Sequence, residues 1–96
     1  MTEKDYIELL NGIIKIARPV SADELKLTTL DVDLKDTGLD SLDFLMVGVY
    51  LSEIFGVSEE DMKLMQATTV RQMLDYMLSK KTKEPESVQS AIDSIR

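Results

Sequence analysis

Three stretches of this chain carry apolar residues at helical spacing, each opened by a capping residue and closed by a helix breaker or a basic turn. In the first, Tyr6, Leu10, Ile13, Ile14 and Ala17 follow Thr2-x-x-Asp5, a relative of the capping box, and precede Pro19. A helix is predicted there over about 4–17. The second is headed by Ser41, a good N-cap, with Asp43 in the first turn where it suits the helix dipole. It runs to Phe55 and stops at Gly56, a good C-cap residue. The third opens at Thr68 or Thr69, carries Val70, Met73, Leu74, Met77 and Leu78, and fades at Ser79-Lys80-Lys81. Between the last two, Ser58 followed by Asp61 caps a short segment containing Met62, Leu64 and Met65. A chain of 96 residues has room for one core, so these helices must bury their stripes on one another. The expected fold is all-α: a four-helix bundle of three longer helices and one short one, with a long loop between helices 1 and 2.

That loop covers about residues 18–40. Leu25, Leu27, Leu30, Val32 and Leu34 alternate with polar residues over part of it, but no second convincing strand is available as a partner. An extended loop whose leucines pack onto the helices is predicted, with Ser21 and Glu24 able to cap one short turn. A connection this long in a compact domain usually carries function. The domain is expected to occupy 1–81. The segment 82–96 begins polar, with Pro85, and Val88, Ala91, Ile92 and Ile95 then fall on one face of a short helix. A helix so short is marginal alone and is expected to fray or to dock weakly on helix 1.

Composition removes several chemistries. There is no Cys and no His, which excludes disulfides, thiolate nucleophiles, Cys-based zinc sites and imidazole acid–base catalysis from the chain itself. A net charge of −7 argues against a nucleic-acid partner. The longest apolar run falls far short of a membrane span, and the polar start Met1-Thr2-Glu3-Lys4-Asp5 lacks a secretory pattern, so a cytoplasmic monomer is expected. The charge is uneven: Asp31 to Asp61 holds nine acids and a single base, Lys35. Such a face either keeps a small protein soluble or attracts basic partners. Asp31-x-Asp33 begins like a calcium loop, but Lys35, Asp36 and Leu42 occupy positions that need an oxygen ligand, Gly and Glu.

Helix 2 is more apolar than one core face requires. Phe44, Val47, Gly48, Leu51, Ile54 and Phe55 form one stripe, and Leu42, Leu45, Met46 and Val49 a second on an adjacent face. At its start lies Asp36-Thr37-Gly38-Leu39-Asp40-Ser41-Leu42-Asp43. Gly38 permits a tight turn, and Ser41 emerges between two acids at the junction of loop and helix, where its hydroxyl should be reachable. Without a His to activate it, such a serine is better suited to modification by another enzyme than to attack on a substrate. Serving only as an N-cap is the simpler alternative.

Gly38-Leu39-Asp40-Ser41-Leu42-Asp43 resembles the phosphopantetheine attachment site of acyl carrier proteins. The likeness extends over about residues 4–80, through Phe55, Thr68-Thr69-Val70 and Asp75-Tyr76. It implies a four-helix bundle with 4′-phosphopantetheine, derived from coenzyme A, joined to Ser41 by a phosphopantetheinyl transferase, with Asp40 and Leu42 flanking the attachment point. It also implies a non-enzymatic carrier that presents acyl thioesters to ketosynthases, acyltransferases or acyl-activating enzymes of fatty-acid, polyketide or related lipid biosynthesis. Helix 2 would be the recognition element, through Leu42, Asp43, Leu45, Met46, Val49 and Glu53, with Asp40, Asp43 and Glu53 meeting basic groups on partners.

The middle of helix 2 departs from the acid-rich pattern of primary fatty-acid carriers, since Met46, Gly48, Tyr50 and Ser52 stand there. This reads as a specialised member docking more through apolar contact. Gly48 is costly in mid-helix and implies close packing or cavity space. Met62, Met65, Met73 and Met77 either fill the core or line an acyl-sheltering groove. A peptidyl or aminoacyl carrier of the same fold, or a helical adaptor without a cofactor, are the competing readings.

Overall fold

The computed structural model describes residues 2–18 and 26–95. Its helices are α1 (Glu3–Ala17), α2 (Ser41–Phe55), α3 (Glu59–Lys63), α4 (Val70–Lys80) and α5 (Val88–Ile95), with a 3₁₀ turn over Leu34–Asp36. The all-α expectation holds, and the boundaries of α1, α2 and α4 fall within a residue or two of those read from periodicity and caps. Ser21, Glu24 and Leu25 lie outside the described residues.

The caps explain the boundaries. Thr2 and Asp5 form a full capping box, the Asp5 amide donating to Thr2 Oγ1 (3.2 Å) and the Thr2 amide to Asp5 Oδ2 (3.0 Å). These bonds to its charged form hold the Asp5 carboxyl below its ordinary pKa, the backbone one foremost. Thr69 and Gln72 repeat the arrangement at α4, and Ser58 Oγ accepts the Asp61 amide (3.1 Å) at α3. At α2 the cap is Asp40, not Ser41. Asp40 Oδ1 accepts the Asp43 amide (2.9 Å) and Asp43 Oδ2 accepts the Asp40 amide (3.2 Å). A carboxylate caps as well as a hydroxyl, and with Asp three residues further on it can close a reciprocal box that Ser41 cannot. Gly56 ends α2 with φ +64°, and a side chain there would also collide with Thr82.

The core is the apolar face of each helix: Leu9, Leu10, Ile13 and Ile14 from α1, Val47, Leu51, Ile54 and Phe55 from α2, and Val70, Met73, Leu74 and Met77 from α4. The Tyr6 and Phe55 rings meet at 6.5 Å between centroids. Leu27 and Leu30 of the long connection are buried with them, as a loop of packing leucines requires. Among its described residues, that loop is pinned at two places. Asn11 pairs with the backbone of Leu27, and a bridge from Asp33 to Thr69 brings Val32 and Leu34 against the start of α4, with the Leu34 amide donating to the Thr68 carbonyl (2.9 Å) and the Val70 amide to that of Val32 (3.0 Å). Outside, Arg71 on α4 binds both Glu3 and Asp31.

The segment after α4 packs against the helices before it. The Thr82 and Lys83 amides both donate to the Phe55 carbonyl (2.9 and 3.1 Å), and α5 lies across α1 and α2 with Ala91 fully buried. Gly12 makes the approach possible, since a β-carbon there would overlap the tip of Ile92. Burial of Val88, Ala91, Ile92 and Ile95 against α1, rather than helix propensity, is what stabilises eight residues as a helix.

Candidate functional site

The turn that opens α2 has an exposed residue between two interlocked acids. Ser41 is the first helical residue, its hydroxyl is not used in the cap, and the loop before it turns at Gly38 with φ +83°. Thr37 Oγ1 donates to the Leu34 carbonyl (2.7 Å), holding the 3₁₀ turn that leads into this junction.

From Ser41 a groove runs along α2 toward α3. Its walls are Phe44, Leu45, Gly48, Val49 and Ser52 on α2, and Val57, Glu59, Met62, Lys63 and Met65 on and around α3, enclosing about 750 Å³. Its α2 side spans residues 41–52, about 16 Å of helix axis. Gly48 leaves this space open: a β-carbon there would stand 3.2 Å from the Met62 terminal methyl. The four methionines therefore divide. Met62 and Met65 line the groove, while Met73 and Met77 are buried core. Tyr76 braces α3 from behind by donating from its hydroxyl to the Asp61 carbonyl (2.5 Å).

The second stripe of α2 faces outward. Leu42 and Leu45 are 64% and 63% exposed, and Val49 is exposed beside them; Met46 is half-buried. Asp40 and Glu53 are exposed at this helix's two ends. Leu64, which the sequence groups with Met62 and Met65, is a further exposed apolar residue at the end of α3.

Asp43 departs from its expected place on this face. It is only 4% exposed, and its Oδ2 is held by Arg18 Nη1 at 2.6 Å as well as by the Asp40 amide. Its position in the first turn aims it at the end of α1, and a buried carboxylate needs such a counter-charge. Asp43 is a structural anchor of the turn and not an outward acid. Sequence reasoning missed Arg18, which gave no signal beyond standing before Pro19. Asp31, considered above as part of a calcium loop, is instead engaged by Arg71. Hydrogen bonding to that guanidinium holds its carboxyl below the ordinary 3.8 and in turn raises the guanidinium pKa.

A family model described as a phosphopantetheine attachment site matches residues 8–77. The chain belongs to this family. It is a phosphopantetheine carrier domain, and the group the family attaches is 4′-phosphopantetheine. Neither a curated protein nor a solved structure matches it. The part of the carrier covered by the match runs from Glu8 in α1 to Met77 in α4 and includes the α2 junction, the groove and α3. The α5 helix of the carrier lies beyond the match. Among the described residues of the carrier, no helix is long and apolar enough to cross a membrane.

Proposed function

We propose that this carrier domain is an acyl carrier protein, with Ser41 as the attachment point and the α2–α3 groove as the shelter for the cargo. The observation that carries this reading is the pairing of an exposed Ser41 hydroxyl, released from capping by Asp40, with an apolar groove that begins beside it. When attached, the arm supplies a terminal thiol that holds an acyl group as a thioester, a function this Cys-free chain lacks.

In the loading step, Ser41 Oγ forms a phosphodiester bond to the phosphorus that bears the pantetheine of coenzyme A. The pyrophosphate P–O bond breaks, and the nucleotide leaves with the other phosphate. The serine proton would pass to a base supplied by the transferase. The residues of this chain contribute position. The capping box fixes the Ser41 backbone, and the exposed Leu42, Leu45 and Val49 give a partner an apolar surface. Asp40 and Glu53 at its edges favour basic complements on a phosphopantetheinyl transferase, ketosynthase, acyltransferase or acyl-activating enzyme. With Asp43 drawn inward and Met46 and Tyr50 in the middle of α2, docking is dominated by apolar contact, as suits a specialised carrier more than a housekeeping one.

Incubation with coenzyme A, magnesium and a phosphopantetheinyl transferase should add the mass of one arm, and Ser41→Ala should abolish the addition. No gain in the parent chain would leave the adaptor reading. Apolar lining favours alkyl cargo over aminoacyl cargo in the groove. On lengthening an attached acyl chain, NMR shifts should move at Gly48, Met62 and Met65; shifts confined to residues near Ser41 would remove the shelter.

A further inference from the structure

We propose that Arg18 is a positioning residue for the loading of Ser41, acting through Asp43; this rests on Ser41 being the attachment point. Ser41 is exposed and its hydroxyl takes no part in the cap, so its place is set by its two neighbours in the box, Asp40 and Asp43. Their two mutual hydrogen bonds lie within one turn and fix the turn only relative to itself. The contact from Arg18 Nη1 to Asp43 Oδ2 (2.6 Å) is different, because it crosses 25 residues of sequence and ties the loading turn to the C-terminal end of α1.

Arg18 is itself anchored. Its amide donates to the Ile14 carbonyl (2.7 Å), so its backbone is the last hydrogen-bonded step of α1. One Asp43 oxygen thus accepts from both the guanidinium and the Asp40 amide, and the side chain is nearly closed to solvent. A charge-assisted bond in such surroundings is short and directional. It holds the first turn of α2, and with it Ser41 Oγ, in one orientation relative to the α1 end of the bundle. In-line transfer onto an oxygen depends steeply on that kind of placement, a misplacement of about 1 Å costing on the order of a hundredfold in rate. The same contact turns an acid of the first turn away from any docking partner. The effect of Arg18 should therefore fall on the chemical step rather than on encounter.

The test uses the full chain, unmodified, with magnesium, coenzyme A and a phosphopantetheinyl transferase, reading initial rates of mass gain across chain concentrations. Arg18→Gln is expected to lower kcat on the order of tenfold with KM little changed, and Arg18→Lys to recover part of the loss. Asp43→Asn keeps the shared oxygen but takes the charge from the Arg18 bond, and should lower kcat in the same direction and by less. The double variant Arg18→Gln/Asp43→Asn should fall no further than Arg18→Gln alone, because both substitutions act on the same contact. Hydrogen exchange in the unmodified Arg18→Gln chain should quicken at the Asp40 and Asp43 amides and stay unchanged in α4. Wild-type kcat in a folded Arg18→Gln chain, additive losses in the double variant, or a change in KM alone would each overturn the proposal. Should Arg18→Gln fail to fold, Asp43→Asn decides, and wild-type kcat there overturns it. Failure of the parent chain to load would instead overturn the attachment reading, while the exchange measurement would still report on the hold of Arg18.

Discussion

Asn11 makes a two-point hydrogen bond to the backbone of Leu27: its Nδ2 donates to the Leu27 carbonyl (2.9 Å) and its Oδ1 accepts the Leu27 amide (2.7 Å). One side chain on α1 thus does for the long loop what a neighbouring strand would do, satisfying both polar groups of a residue whose side chain is in the core. Asn11→Ala should cost about 1–3 kcal/mol, because two partly buried backbone groups lose their partner. For a domain of this size that is a fall of roughly 4–8 °C in Tm for each kcal/mol. Asn11→Asp should be no better than Ala, since a carboxylate cannot donate to the Leu27 carbonyl. Thermal unfolding followed by circular dichroism checks both; a Tm within a degree of the parent for Asn11→Ala would show that the loop is held elsewhere.

If Ser41 takes the arm, capping and modification fall on adjacent residues and should separate by mutation. Asp40→Ala removes the cap of α2 and should lower stability by about 1 kcal/mol. Ser41→Ala removes only an exposed hydroxyl and should leave Tm within a degree or two while preventing phosphopantetheine attachment. Paired melting curves and intact masses test this, and a larger loss of Tm in Ser41→Ala than in Asp40→Ala would reverse the assignment of the cap.

Gly48 trades stability for space. Replacing it with Ala adds a helix-favouring residue, worth about 0.5–1 kcal/mol, at the expense of a 3.2 Å approach to the flexible end of Met62. Gly48→Ala should therefore raise Tm, and Gly48→Leu should fill the α2–α3 groove. With an attached acyl chain, Gly48→Leu should speed thioester hydrolysis by exposing the cargo. Equal hydrolysis rates in parent and variant would show that the cargo does not enter the groove.

Acid should loosen the junction of α1, loop and α4. The pKa of Asp31 is depressed in the folded chain by the Arg71 hydrogen bond, so its contribution is present above the ordinary carboxylate value of 3.8 and is lost as pH falls through the lower, folded value. Asp5 follows the same sign through its Thr2 bonds. Tm should hold steady from neutrality to about pH 5 and decline below about pH 4, and Asp31→Asn should flatten that decline. Because both carboxylates are on the surface, added salt should shrink the Asp31 part of the effect. A decline of the same depth in Asp31→Asn would place the acid sensitivity elsewhere.

The last helix offers a test of what holds it. Ala91→Asp puts an unpaired charge at the buried centre of α5 and should release the helix from α1. Hydrogen exchange should then reach fast rates over 88–95 while the amides of α2 and α4 stay protected. Retained protection over 88–95 would mean that Ala91 is not the anchor.

Much of this architecture was readable because it is written locally. Helices at 3–17, 41–55 and 70–80 follow from a 3.6-residue apolar period closed by caps, each encoded within a few residues of its own element. The double stripe of α2 was equally legible, since Leu42, Leu45 and Val49 cannot share one face with Val47, Leu51 and Ile54. The motif resembling an attachment site stood out for the same reason: Gly38, Leu39, Asp40, Ser41, Leu42 and Asp43 are contiguous.

What depended on distance was not legible. Whether Asp43 points at a partner or at Arg18 is decided by where α1 ends relative to α2, 25 residues away. Ser41 and Asp40 are both acceptable caps, and only the backbone path chose the one that closes a reciprocal box. Val88, Ala91, Ile92 and Ile95 gave a face and pointed to helix 1 but not how closely it docks, because the notch at Gly12 that receives Ile92 lies some 80 positions earlier. The amino-acid order determined which segments become helices and which serine stands where the long loop enters α2. Tertiary structure alone decided which charges are spent internally and which remain for a partner, since burial and ion pairing depend on separations that no local pattern records.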